Sequence, residues 1–287
     1  MRSEVETYGV TSGVARLRRV LVRTPATSGD FAAAGWRQPD ATTLLRQHAA
    51  FCELLSDLGC DVVVAPPVEG LVDACYMYDS AFTIGDGAIV LRSAKPARAT
   101  EWEPAAAALA DAGVPIVAHL AGDATADGGD LFFLDAGTLV AGRGYRTNAA
   151  AHRQLAAILE PRGIAVERVD LPHDTGPAHV LHTMSFISPV AADLAVVFER
   201  LMPVPLVELL QERGIRTVAV DEDEYLTMAC NVLPVRPGVV VVVDGNPKAR
   251  RAMEAAGVEV HAYDGSDISL KGDGGPTCLT RPLWRRD

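Results

Sequence analysis

Cys278 closes the stretch Gly274-Gly-Pro-Thr-Cys278, a loop that presents backbone rather than side-chain bulk. A thiol packed only for burial belongs on a helix or strand face, which is the pattern around Cys52 and Cys60. A thiol in a loop, with a histidine partner and a carboxylate behind it, has the makings of a nucleophile. His182 lies in Val180-Leu-His-Thr-Met-Ser-Phe-Ile, where an imidazole needs a hydrogen-bond partner; it reads as a satisfied core histidine or as a base. Asp127-Gly-Gly-Asp130 is a tight, negatively charged turn, or an ordinary Asx-type turn. Asp79, among Tyr76-Met-Tyr-Asp-Ser-Ala-Phe82, carries a charge that is costly unless paired, or else turns its side chain to water. Arg92 at a strand end and Arg146 in Gly142-Arg-Gly-Tyr-Arg-Thr-Asn148 are surface ion-pair residues or bidentate grips for a carboxylate. His179 and His182 lack the further ligands of a zinc spacing, and Thr147 breaks the dinucleotide fingerprint at Gly142, so neither a metal nor a cofactor is expected.

These residues are far apart in the chain, so something repetitive must gather them. Five times the sequence spells a large apolar residue, a helix end, a glycine and a short β-branched strand; the glycines are Gly59, Gly113, Gly163, Gly214 and Gly257, roughly every 50 residues. Each glycine suits the left-handed residue that ends a helix. Strands are expected before the helices at Arg19 to Arg23, Ala88 to Arg92, Thr138 to Gly142, Leu194 to Phe198 and Val239 to Val243. Thr100 with Glu103 reads as a capping box, and Asn246-Pro247 as an N-cap before proline at the first helical position. The class is α/β. The segments between units, residues 66–87, 119–137, 170–192, 221–237 and 264–287, hold nearly every candidate for chemistry, Cys230-Asn231 in the fourth among them. A closed ring would bring them together around a pseudo-axis.

The chain has 287 residues, 49% of them apolar, and no Pro/Ser/Gly-rich linker separates the units, so residues 1–287 are expected to form one domain. No apolar run approaches membrane-spanning length, and Met1-Arg-Ser-Glu-Val-Glu lacks the apolar stretch of a signal peptide; a soluble, cytoplasmic protein is expected. Five cysteines without a C-x-x-C pair fit free thiols in a reducing compartment. A net charge of −11, with lysines only at Lys95, Lys248 and Lys271, speaks against nucleic acid and is a weak pull on cations. A homodimer is left open.

Tyr78-Asp79, Asp127-Gly-Gly-Asp130, Arg146-Thr-Asn148, His182 and Gly274-Gly-Pro-Thr-Cys278-Leu-Thr, in this order over nearly the whole chain, resemble the pentein superfamily of guanidine-modifying enzymes, which includes arginine deiminases, dimethylarginine dimethylaminohydrolases and amidinotransferases. The resemblance implies a five-bladed α/β propeller and a small-molecule guanidino substrate. It implies Cys278 as nucleophile, His182 as general acid and then base, and Asp127 as the carboxylate that completes the triad or holds the guanidinium. Asp79 and Asp130 are then further substrate-binding carboxylates, and Arg92 and Arg146 bind the amino-acid carboxylate. Deiminases carry His-x-Asp where this chain has Met184, and Asp-Gly-Gly-Asp in place of Glu-Gly-Gly-Asp is similar to some dimethylarginine hydrolases, whereas the Gly-Gly-Pro-Thr-Cys-Leu-Thr tail is nearer deiminases and amidinotransferases. The expectation is a C–N hydrolase of linear amidines, dimethylarginine-like. A deiminase, ureidase or amidinotransferase is the alternative, and a non-catalytic binding protein on the same propeller is the alternative of another class.

Overall fold

The computed structural model describes residues 7–179 and 181–287; the amino-terminal hexapeptide and Val180 lie outside the described residues. The chain opens with β1 (Leu17–Arg23), α1 (Ala41–Asp57) and β2 (Asp61–Ala65). Three full units follow: β3 (Ala81–Ile84), β4 (Gly87–Val90), α2 (Trp102–Asp111), β5 (Ile116–His119); β6 (Leu131–Asp135), β7 (Thr138–Arg143), α3 (Ala149–Leu159), β8 (Ala165–Asp170); and β9 (Ile187–Ala191), β10 (Leu194–Val197), α4 (Val204–Glu212), β11 (Arg216–Ala219). A short helix α5 (Glu222–Tyr225) leads into β12 (Leu233–Arg236), β13 (Val239–Val243), α6 (Pro247–Ala255) and β14 (Glu259–Tyr263), and β15 (Arg281–Arg285) ends the described chain.

Five three-stranded sheets result, each with an antiparallel inner strand, a central strand and a parallel outer strand reached through the helix. This is the five-bladed α/β propeller. The central strands are largely buried, as five consecutive buried valines in β13 illustrate, because both of their faces are covered. The expected strand pair and terminal glycine appear in every unit, with Gly59, Gly113, Gly163, Gly214 and Gly257 all at φ between 65° and 87°. The antiparallel strand was not foreseen. It lies at the end of each segment taken as connecting loop, and its signal was a two-residue hairpin turn, Gly85-Asp86 before β4 and Ala136-Gly137 before β7 among them.

Two helix starts differ from expectation. α2 has no side-chain cap, because Glu101 at its N-terminus turns its carboxylate to Arg98 and Ser80 instead. α6 begins at Pro247 as expected, but the Asn246 side chain bonds Thr227, and the free amides of Lys248 and Ala249 donate to the Glu224 carboxylate of α5 at 2.9 and 2.8 Å. An ion pair in one case and a carboxylate from another element in the other displace local capping.

The first blade is completed by the last strand. β15 pairs antiparallel with β1, Val20 facing Pro282 and Leu21 facing Arg281, which joins the two ends of the chain in one sheet. Inner strands of all five blades face a hollow of about 30 Å³. Two buried arginines from β15 plug it. Arg281 donates to the carbonyls of Tyr78 and Ala81 and lies 4.0 Å over the Tyr78 ring, while Arg285 donates to those of Ala15 and Pro234. Replacing Arg281 by Met removes donors from two buried carbonyls, each worth about 1–3 kcal/mol when left unpaired. Arg281→Met is expected to lower stability by about 3 kcal/mol, read as a fall in the denaturant midpoint at unchanged slope; an unchanged midpoint would show that the plug does not hold the ring.

Candidate active site

One residue per blade reaches the same end of the pseudo-axis from an equivalent place. Asp79, Asp127, His182, Asn231 and Cys278 all stand within five residues before the inner strands β3, β6, β9, β12 and β15. Together they sit in or against a cavity of about 420 Å³, whose walls include Asp79, Arg98, His182, Met184, Asn231 and Cys278. The glycines of Asp127-Gly-Gly-Asp130 make the assembly close-packed: a Cβ on Gly128 would lie 1.9 Å from the Tyr78 carbonyl oxygen, and one on Gly129 would lie 2.4 Å from His182 Nδ1.

His182 is buried and shares its Nε2 with Asp127 Oδ2 at 3.1 Å. The Ser185 hydroxyl accepts from the His182 backbone N–H at 3.0 Å, which fixes the short turn that carries the ring. Arg146 also reaches Asp127 Oδ2, at 3.1 Å, while Asp127 Oδ1 has no hydrogen-bond partner among the described residues. Burial works against the Asp127 charge, but the hydrogen bond and charge of His182, with Arg98 and Arg146, hold this carboxyl well below the usual carboxylate range. For His182 burial opposes the charged form, and the carboxylates of Asp79, Asp127 and Asp130 prevail, so that its affinity for a proton is raised.

Asp79 does find a partner for its charge. Its Oδ2 meets the Arg98 guanidinium and its Oδ1 accepts from the Gly129 amide at 2.9 Å. Arg98 is itself divided, since Glu101 Oε2 accepts from its other edge at 2.7–2.8 Å. Glu101 is pushed up to about 7, chiefly by burial. A second ion pair, Lys95 with Asp73, faces the cavity beside Trp36, whose indole N–H donates to Asp73 at 2.7 Å. Arg98, Glu101, Asp73 and Lys95 were missed in the sequence; the only signal was the demand of Asp79 for a cation.

Cys278 meets its nearest polar side chain in Asn231, whose Nδ2 donates to Sγ at 3.3 Å. Burial first, and then the Asp79 charge, push the thiol up to about 11, the level that burial also gives Cys52 and Cys60. Acidity does not distinguish Cys278. Its place on the cavity wall with His182 does.

Two expected substrate contacts fall elsewhere. Arg92 is not on the cavity wall; its guanidinium donates to the Gly122 carbonyl, because β4 ends at Val90 and the chain then bends away. Asp130 is fully buried behind the wall, accepting from Thr147 Oγ1 at 2.6 Å and from the Thr183 amide at 3.0 Å, so it braces the turn that carries His182. Burial pushes it up to about 6. Residues 24–40 are anchored: Phe31, Ala34 and Trp36 are buried, and Trp36 stacks on Tyr76 at 5.2 Å. No helix among the described residues is long and apolar enough to cross a membrane.

Known proteins share this build. A dimethylarginine dimethylaminohydrolase of Pseudomonas aeruginosa is 24% identical over 265 residues, covering 92% of this chain and 98% of its own. An arginine deiminase of Rhodococcus erythropolis is 26% identical over 261 residues, 79% of this chain; the match spans only 62% of that protein's length. The solved N-terminal domain of ArgZ, an arginine dihydrolase from cyanobacteria, superposes with a TM-score of 0.80 at 17% identity, over 93% of this chain and 97% of that one. The arginine deiminase family model matches residues 64–202 and 175–285, a span that takes in the second to fifth blades, the closing strand and all five residues gathered at the cavity; the chain belongs to the arginine deiminase family.

Proposed function

We propose that this protein hydrolyses N-substituted guanidines of the dimethylarginine type, with Cys278 as nucleophile and His182 as proton carrier. The observation that carries the reading is one cavity walled by a thiol and an imidazole, with the buried carboxylates Asp79 and Asp127 beside them. A guanidinium cation is the ligand such carboxylates favour. Its N–H groups would satisfy the unpartnered Asp127 Oδ1 and offset the Asp79 charge that now raises the thiol. Arg146 is then placed to meet an anionic end of the substrate.

In this reading His182 takes the thiol proton as the substrate cation settles. The thiolate adds to the guanidinium carbon, and the tetrahedral adduct expels its amine with the proton that His182 returns. A thiouronium remains on the sulfur. His182, neutral again, takes a proton from water; the hydroxide adds, the C–S bond breaks with its electron pair on sulfur, the adduct's hydroxyl proton passes to that thiolate, and a ureido product leaves while the imidazolium returns its proton to solvent or to the departed amine. Met184 supports a substituted nitrogen, since it lines the cavity, is 8% exposed and packs in the apolar cluster with Phe186 and Tyr78. That wall accommodates methyl groups and gives an unsubstituted amino group no acceptor. The near-complete coverage of the dimethylarginine relative favours the same choice.

Incubation with dimethylarginine is expected to release dimethylamine and citrulline, with turnover lost in Cys278→Ser. Ammonia from plain arginine would move the reading to a deiminase, transfer to an added amine would make it an amidinotransferase, and turnover surviving in Cys278→Ser would end the thiol mechanism.

The pH dependence has a defined sign. The resting pair must hold a neutral imidazole and a neutral thiol or their proton-transferred equivalent, so kcat/KM is expected to rise through the His182 titration, above its ordinary 6.5, and to fall near 11 as Cys278 titrates. Asp127→Asn removes a hydrogen bond and a charge that favour the imidazolium. Its acid limb is expected to move to lower pH while kcat drops about 100-fold or more; a pH–rate profile with an unmoved acid limb would contradict the assigned role of Asp127.

A further inference from the structure

We propose that Asn231 is a catalytic residue, a neutral hydrogen-bond donor that stabilises the Cys278 thiolate while the guanidinium is attacked. The proposal rests on the reading of Cys278 as the nucleophile. Asn231 is 9% exposed, on the cavity wall, and occupies in the fifth blade the place that Asp79, Asp127, His182 and Cys278 occupy in the others. Its amide is oriented without ambiguity. The Thr277 backbone N–H, which can only donate, points to Oδ1 at 3.0 Å, so the group facing the sulfur at 3.3 Å is the NH₂.

The surrounding chain is shaped for this contact. Thr277 Oγ1 donates to the Val232 carbonyl at 3.1 Å, so both sides of the loop before the thiol are stitched to Asn231 and its neighbour. A Cβ on Gly275 would come within 2.5 Å of the Asn231 side chain, so only glycine there admits the amide to the loop. The charged groups nearest the sulfur pull in opposite directions, Asp79 against the thiolate and Arg98 toward it, and the hydrogen bond from Asn231 favours the thiolate. A cationic donor in its place would repel the substrate, and a carboxylate would oppose thiolate formation. A primary amide does neither.

Asn231→Asp separates catalysis from scaffolding, because it keeps an acceptor for the Thr277 amide and loses the donor to sulfur. In this variant the rate of Cys278 alkylation by iodoacetamide at pH 8, followed by peptide mass spectrometry, is expected to fall roughly three- to tenfold, the thiolate fraction dropping while its nucleophilicity rises. With a guanidine substrate, kcat is expected to fall more than tenfold and KM to change less than twofold. Asn231→Leu, checked for a cooperative melt, removes the donor without adding charge and is expected to slow alkylation in the same direction. Wild-type alkylation rates in either folded variant would overturn the proposal. Because alkylation needs no substrate, slowed alkylation in an enzyme that turns over no guanidine would refute the proposed function and leave the Asn231–Cys278 interaction standing.

Discussion

The antiparallel pairing of β15 with β1 is the contact on which the site depends. β1 begins at Leu17 and β15 ends at Arg285, so that ladder joins residues separated by nearly the whole described chain. Cys278 stands three residues before β15, and its carbonyl accepts from the Tyr78 amide at 3.1 Å across the seam between the first and second blades. The thiol is therefore positioned by the contact that joins the two ends of the chain, while His182 is carried at the boundary between the third and fourth blades. Arg281 joins both functions, since the residue that plugs the axis also donates to the carbonyls of Tyr78 and Ala81 on either side of Asp79. Long-range closure of this kind costs little extra entropy per added residue, so a large ring is an economical way to bring distant groups together.

Charge inside the cavity is balanced in pairs: Asp79 with Arg98, Asp127 with Arg146 and His182, Asp73 with Lys95. Buried carboxylates need such partners, yet complete neutralisation would leave nothing to attract a cation. Two features keep a share of negative charge available. Glu101 draws on the same guanidinium that serves Asp79, so that Arg98 is divided between two carboxylates. Asp127 spends one oxygen on both of its partners and leaves the other unpartnered. Asp79 and Asp127 are thus paired without being saturated, which is the state that receives a cation.

Repetition made the fold legible. Glycine at each helix end and β-branched strands on either side recur because the same βαβ unit buries the same faces five times, and local physics of that sort is written in neighbouring residues. The inner strands escaped because they are short and follow loops rich in polar and aromatic residues, where a two-residue turn is a quieter signal than a valine run. In the site, Cys278, His182, Asp127 and Asp79 stood out by placing reactive or charged groups in apolar or glycine-rich surroundings. Arg98 and Glu101 did not, since Lys95-Pro-Ala-Arg98 and Thr100-Glu-Trp-Glu103 read as an ordinary helix entry, and only the fold turns their side chains inward. Arg92 differs for the converse reason: the strand expected to reach it ends at Val90, and its guanidinium turns to the Gly122 carbonyl instead of the cavity.

The selectivity of the site follows from which blade supplies what. Carboxylates come from the second and third blades, and the apolar wall at Met184 comes with His182 on the next turn, so under the proposed reading the nitrogen that would receive the His182 proton is the one next to Met184. A leaving group adjacent to an apolar wall is bound through carbon rather than through N–H, and in a bisubstituted guanidinium that nitrogen has no N–H to offer. The other two nitrogens, on the proposed reading turned toward Asp79 and Asp127, would keep theirs. Under this geometry the same arrangement that orients the cation also selects which amine departs, because a substituted nitrogen placed against either carboxylate would leave a buried acceptor unpaired.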